Sequence, residues 1–197
     1  LTKVAVARMS IPVEESTGLL NGIIAEVRQR AGLPDTQRLR IMVVGAEVDD
    51  AALISSIEDS GACVVADDLC PGTREYWPAV DITPDPLDGI AEYYLRKINC
   101  ARTYRVQKGT YPEYLEARFG HIGRFINEFR VDGVILYIYK YCDPFGFEVP
   151  AMKSYIQSLG TPVLYLENEY SIVTIARLRT RIQAFLELIG SGVPTKI

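Results

Sequence analysis

Thiols, carboxylates and cations crowd together at two places in the chain. Asp67-Asp68-Leu69-Cys70-Pro71-Gly72-Thr73-Arg74 is one, and Lys140-Tyr141-Cys142-Asp143 is the other. A thiol-free cluster follows at Glu167-Asn168-Glu169. Thiolates set among carboxylates favour iron–sulfur clusters or zinc. Arg74 and Lys140 can attract an anionic ligand, and Asp68, Glu47 and Glu167 are candidates for proton transfer. Each residue also has a structural reading. Asp-Asp and Pro-Gly are common turn formers, a free cysteine is usually a small buried hydrophobe, and Glu167 can simply accept hydrogen bonds from a loop.

Other chemistries find little support. The four cysteines, Cys63, Cys70, Cys100 and Cys142, form no CxxC pair, so a zinc ribbon or thioredoxin-type motif is not expected. Cys63 lies inside a strand pattern and reads as core, whereas Cys100 sits in a basic loop and reads as exposed. There is no GxxxxGK[ST] run, and Gly45-Ala46-Glu47 is not a GxGxxG fingerprint. His121 is the only histidine and falls among polar positions of a helix, a poor start for a Ser-His-Asp or Cys-His hydrolase.

Composition bounds the rest. The chain has 197 residues, 48% of them hydrophobic, enough for one sizeable domain or two small ones. Its net charge is −4, with no dense Lys/Arg cluster, so nucleic acid is not an expected partner. No apolar run approaches the ~20 residues that span a bilayer, so no membrane role is expected. Neither a signal peptide nor a disulfide pattern is evident, and reduced thiols in a cytoplasmic setting are expected. The chain begins at Leu1 rather than Met, which reads as a piece of a longer frame.

The elements that must position these residues alternate. Residues 14–30 carry Leu19, Leu20, Ile23, Ile24 and Val27 at helical spacing, and 1–38 reads as an N-terminal helical segment. Short apolar strands are predicted at 41–45, 62–66, 133–139 and 161–167. Between them come helices through Leu53 and Ile57, over 87–97, from Thr110 to Phe129, and over 150–159; a last helix carries Ile175, Leu178, Ile182, Phe185 and Ile189. Residues 100–109 read as an exposed basic connection. Strands apolar on both faces, alternating with helices, predict an α/β lobe over 39–197. We expect a flavodoxin-like open parallel sheet of about four strands with helices on both faces. Ligands of such sheets bind beyond the carboxyl ends of the strands. The two cysteine clusters and Glu167 all follow predicted strands, and Cys142, Asp68 and Glu167 are expected to be near neighbours.

Several of these runs resemble one family. Val64-Val65-Ala66 leading into Asp67-Asp68-Leu69-Cys70-Pro71-Gly72-Thr73-Arg74 is similar to the DDxCxGxR segment of the benzoyl-CoA reductase and 2-hydroxyacyl-CoA dehydratase family. Val131-Asp132-Gly133-Val134-Ile135 with Lys140-Tyr141-Cys142-Asp143-Pro144 resembles a second segment. Gly160 to Glu167 and Arg179 to Glu187 look like its final ones. The resemblance implies the C-terminal lobe of a two-lobe subunit about twice this long. It implies a [4Fe-4S] cluster with Cys142 as a ligand and Cys70 and Cys100 as further candidates. It also implies a homologous second subunit, an acyl-CoA substrate, and a separate ATP-hydrolysing iron–sulfur activator. The activity would be ketyl-radical dehydration of a 2-hydroxyacyl-CoA (a lyase) or reduction of an aromatic ring (an oxidoreductase), in an anaerobic setting. Two rivals remain: a non-catalytic binding or assembly module that lost the cluster, and a flavodoxin-like domain holding a small phosphorylated ligand through Arg74.

Overall fold

The computed structural model describes residues 4, 7, 10–31, 38–48, 51–169 and 175–192. The chain divides into two compact units, Leu1–Arg38 and Leu39–Ile197. In the first, α1 spans Val13–Gln29 as its periodicity predicts, with Glu14 and Glu15 in the first turn and Arg28 in the last, each complementing the helix dipole. The apolar positions do not make a core. Leu19, Ile23, Ile24 and Val27 are all exposed, and Ser16 is the buried residue of the helix.

The second unit is a four-stranded parallel sheet. Its strands are β1 (Arg40–Gly45), β2 (Cys63–Asp68), β3 (Gly133–Tyr139) and β4 (Val163–Asn168), in spatial order β2-β1-β3-β4. Helix α2 (Ala52–Asp59) links β1 to β2. The path from β2 back to β3 runs through α3 (Thr73–Tyr76), α4 (Pro86–Glu92), a π-helical turn (Tyr93–Lys97) and α5 (Tyr111–Glu128). Helix α6 (Asp143–Ser158) joins β3 to β4, and α7 (Ile175–Gly190) follows. This order confirms the flavodoxin-like α/β arrangement.

Alternation along the strands feeds two cores. Met42 and Val44 of β1, with Val134, Leu136 and Ile138 of β3, meet Phe119, Ile122, Phe125, Met152 and Ile156 of α5 and α6. Ile41 and Val43, with Ile135 and Tyr137, meet Leu53 and Ile57 of α2 and Leu178, Ile182 and Phe185 of α7. Both faces are therefore covered, which is why the strands read as continuous apolar runs.

Two boundaries differ from expectation, and each bears on the site. Strand β2 extends through Asp67 and Asp68, which pair with Val43 and Val44, so these carboxylates close a strand instead of following it. Glu167, the last residue of the expected fourth strand, lies within β4 and pairs with Ile138. Helix α6 starts at Asp143, seven residues before the expected start, because Pro144 fits the first helical turn, where no N–H is needed. Cys63, expected in the core, is half-buried.

The chain reverses its direction of winding between β1 and β3. At that point Gly45 lies so close to β3 that a Cβ would fall 1.8 Å from the Tyr137 carbonyl oxygen. The next residue, Ala46, donates its N–H to the same oxygen at 3.1 Å. Only glycine lets the two strands stay in register here.

Candidate functional site at the carboxyl rim

Asp67 folds the loop that follows β2. Its Oδ1 accepts the Thr73 N–H at 2.8 Å, and its Oδ2 accepts the Thr73 hydroxyl at 2.9 Å. The carboxylate occupies the space a side chain at position 72 would need: a Cβ on Gly72 would lie 1.9 Å from Asp67 Oδ1. The turn-forming reading therefore holds for Asp67 and Gly72.

Asp68 and Arg74 do something different. Both are buried, at 2% and 3% exposure. Arg74 Nε donates to Asp68 Oδ1 at 3.0 Å, and one terminal nitrogen donates to the Gly45 carbonyl at 2.9 Å and to Cys70 Sγ at 3.4 Å. The other donates to the Asp68 carbonyl. The guanidinium carbon lies 4.6 Å from the Phe145 ring centre. Four of the five N–H donors of an arginine are thereby committed. Arg74 is thus not a free anion receptor, as the sequence suggested. It ties β1, the β2 loop and the Cys70 sulfur together.

The other oxygen of Asp68 meets His121 Nε2 at 3.0 Å. Burial pushes the Asp68 carboxyl upward, but the Arg74 charge, with His121, outweighs it and holds the group down at about 2. An ionised carboxylate can only accept, so His121 Nε2 carries the proton. Locked on both oxygens, Asp68 is a scaffold anion and is badly placed to act as the base that the sequence proposed. His121, read from the sequence as one of the polar positions of its helix, is buried at 8% exposure.

A second arginine, which sequence reasoning missed, holds the Cys100 segment. Arg118 is buried on α5 and donates to the carbonyls of Thr103 (2.6 Å), Cys100 (3.1 Å) and Ala101 (3.0 Å), and to Glu148 Oε1 (2.7 Å). Burial raises the Glu148 carboxyl, against the pull of Arg118. Cys100 is consequently half-buried and fixed, not exposed and idle. Arg118, Glu148, Asp68, Arg74 and His121 line one cavity of about 10 Å³, at the lower limit for a single water.

Cys70, Cys100 and Cys142 are all half-buried. Burial raises the Cys70 thiol, Arg74 opposes this, and the thiols of Cys100 and Cys142 are near enough to raise it further. Cys142 is the N-cap residue of α6, directly beyond β3. Among the described residues, however, no three His, Cys, Asp or Glu side chains converge as a metal shell.

The remaining candidates lie elsewhere on the rim. Lys140 Nζ pairs with Glu169 Oε1 at 2.6 Å, which raises the lysine and lowers the glutamate. Glu167 is exposed. Asp68 and Glu167 stand on opposite edge strands, three strand spacings or roughly 14 Å apart, so the expected gathering of Cys142, Asp68 and Glu167 does not form. Beside Glu167, Asn168 is buried and donates to the Tyr137 hydroxyl at 2.9 Å. Its Oδ1 has no partner among the described residues.

A doubly covered parallel sheet with a reversal of strand order at one rim defines a flavodoxin-like α/β lobe. The family model described as 2-hydroxyglutaryl-CoA dehydratase, D-component, matches residues 1–189, and the chain belongs to that family. It is 27% identical to the (R)-phenyllactyl-CoA dehydratase beta subunit of Clostridium sporogenes, over 75% of this chain and 37% of that protein. It is 29% identical to the putative dehydratase subunit YjiM of Escherichia coli, over 86% of this chain and 43% of that protein. The lactoyl-CoA dehydratase subunit beta of Anaerotignum propionicum is 22% identical, over 93% of this chain and 47% of that protein. The chain thus spans less than half the length of the curated relatives it matches. No helix among the described residues is long and apolar enough to cross a membrane.

Proposed function

We propose that this chain is the C-terminal-type lobe of a 2-hydroxyacyl-CoA dehydratase subunit and contributes Cys142 to a [4Fe-4S] cluster. Its carboxyl rim then forms one wall of the acyl-CoA site. The observation that carries this reading is the set of three half-buried thiols on one rim, in a chain whose relatives are named as acyl-CoA dehydratase subunits. Thiolate is the right donor type for such a cluster. Because the described residues close no shell by themselves, the remaining ligands come from outside them. When bound, the cluster supplies one-electron chemistry and a Lewis-acidic position. Cys70 and Cys100 are further candidate ligands. The electron source would be a separate ATP-hydrolysing activator, and the partner a homologous second subunit. The relatives' names favour dehydration over aromatic ring reduction.

The chain's own residues have assignable tasks in this reading. Arg74 donates to Cys70 Sγ and fixes its direction, and a hydrogen bond to sulfur also tunes a cluster's potential. Arg118 holds the Cys100 backbone. Tyr137 and Asn168, buried and hydrogen-bonded to each other, brace β3 against the end of β4. Glu167, exposed on the rim, is a candidate carboxylate for proton transfer.

The full-length protein, prepared without oxygen, is expected to be brown, to contain about four irons per cluster, and to lose iron when Cys142 is changed to Ser. A colourless, iron-free preparation would favour the cluster-free module.

A further inference from the structure

Helix α6 opens at Cys142, and its inner face seats both buried arginines of the rim. Phe145 and Glu148 follow Cys142 by three and six residues, so the two lie at i and i+3 on one side of the helix. The Phe145 ring is buried, with the Arg74 guanidinium carbon 4.6 Å from its centre. Glu148 Oε1 accepts from Arg118 Nε at 2.7 Å and pairs with a terminal nitrogen of the same guanidinium.

Each arginine continues into a different thiol-bearing segment. Arg74 donates to Cys70 Sγ at 3.4 Å, and Arg118 donates to the Cys100 carbonyl at 3.1 Å. Two chains of contacts therefore leave α6, one running Phe145–Arg74–Cys70 and the other Glu148–Arg118–Cys100. Helix α5 joins them. Its Arg118 and His121 also stand at i and i+3, and His121 meets the Asp68 carboxylate that pairs with Arg74. The Arg74 and Arg118 side chains are 2% and 6% exposed, so neither cation can trade its partners for water. A buried ion pair adds little stability over apolar packing of the same volume. What it adds here is direction, because a planar guanidinium fixes where its acceptors must lie.

We infer that Phe145 and Glu148 are positioning residues, Phe145 acting on Cys70 through Arg74 and Glu148 acting on Cys100 through Arg118. Both segments thereby stand in a fixed relation to the helix that Cys142 opens. Within the function proposed above, on which the purpose of this arrangement rests, Cys142 meets its cluster between two walls already in place before iron arrives.

The test is peptide-resolved alkylation of the full-length protein by iodoacetamide, after a chelator has removed iron in the absence of oxygen. Cys63 is the internal reference, since it stands at the other end of β2 from Asp68 and belongs to neither chain of contacts. Glu148→Ala should speed the modification of Cys100 about tenfold, as the loss of a hydrogen bond between charged groups predicts, and leave Cys63 unchanged. Glu148→Gln keeps an oxygen for Arg118 Nε and should restore most of the protection. Phe145→Leu should speed Cys70 more than Cys100, the reverse of Glu148→Ala. Merely loosened packing would speed all four thiols together, and that outcome overturns the inference, as does a wild-type rate at Cys100 in Glu148→Ala. Should Glu148→Ala not fold, Phe145→Leu decides alone, and equal acceleration of Cys70 and Cys100 overturns the inference. The expected pattern in a full-length protein that never holds iron would keep the positioning roles and overturn the cluster reading.

Discussion

Asp68 and Arg74, six residues apart, are sealed from water and joined through Arg74 Nε and Asp68 Oδ1 at 3.0 Å. Removing one partner leaves the other charged and buried. Asp68→Ala should cost about 3–5 kcal/mol of folding stability, read from urea unfolding midpoints. A loss below 1 kcal/mol would mean that Arg74 finds another anion or reaches solvent.

The same carboxylate makes stability depend on acid. Its folded value, about 2, lies below the ordinary 3.8. The stabilisation is therefore fully present above pH 3.8 and is lost as the pH falls from there towards 2. The gap corresponds to about 2 kcal/mol. Unfolding free energies measured between pH 5 and pH 2 should fall more steeply for the wild type than for Asp68→Asn. Parallel curves would show that Asp68 is not the group responsible.

Two glycines should respond oppositely to alanine. Gly72→Ala places a methyl group against Asp67 and should destabilise by about 1–3 kcal/mol. It should also speed the modification of Cys70 by a bulky disulfide reagent. Gly18, inside α1 with nothing within 4 Å of a built Cβ, should gain about 0.5–1 kcal/mol on the same change. Thermal unfolding of the two variants side by side decides the matter.

Arg118→Lys should behave nearly like Arg118→Ala, because an ammonium cannot span three carbonyls and a carboxylate in the geometry of a planar fork. Hydrogen exchange in residues 100–103 should accelerate in both variants. Wild-type protection in the lysine variant would show that charge alone holds the segment.

The sheet was legible because its two central strands are buried on both faces and all four strands carry short apolar runs. The capping of α5 was legible for a local reason: Thr110 and Glu113, three apart, bind one another. The rim was harder to read. Asp67 and Asp68 look like a turn because nothing nearby in sequence reveals that Arg74 and His121 will pair with the second of them; His121 is 53 residues away. Arg118 did leave a signal, standing four residues before Ile122 and seven before Phe125 on the buried stripe of α5. A cation at such a position must be paired. The spread of Asp68 and Glu167 depended on strand order, which periodicity does not encode.

The two kinds of ion pair on this rim should part company in brine. Lys140 and Glu169 meet in the open, where dissolved ions shield them from each other within a few ångströms. Arg74 and Asp68 meet where those ions do not enter. Concentrated electrolyte should therefore loosen the Lys140–Glu169 contact while the loop carrying Cys70, held by Arg74, keeps its place.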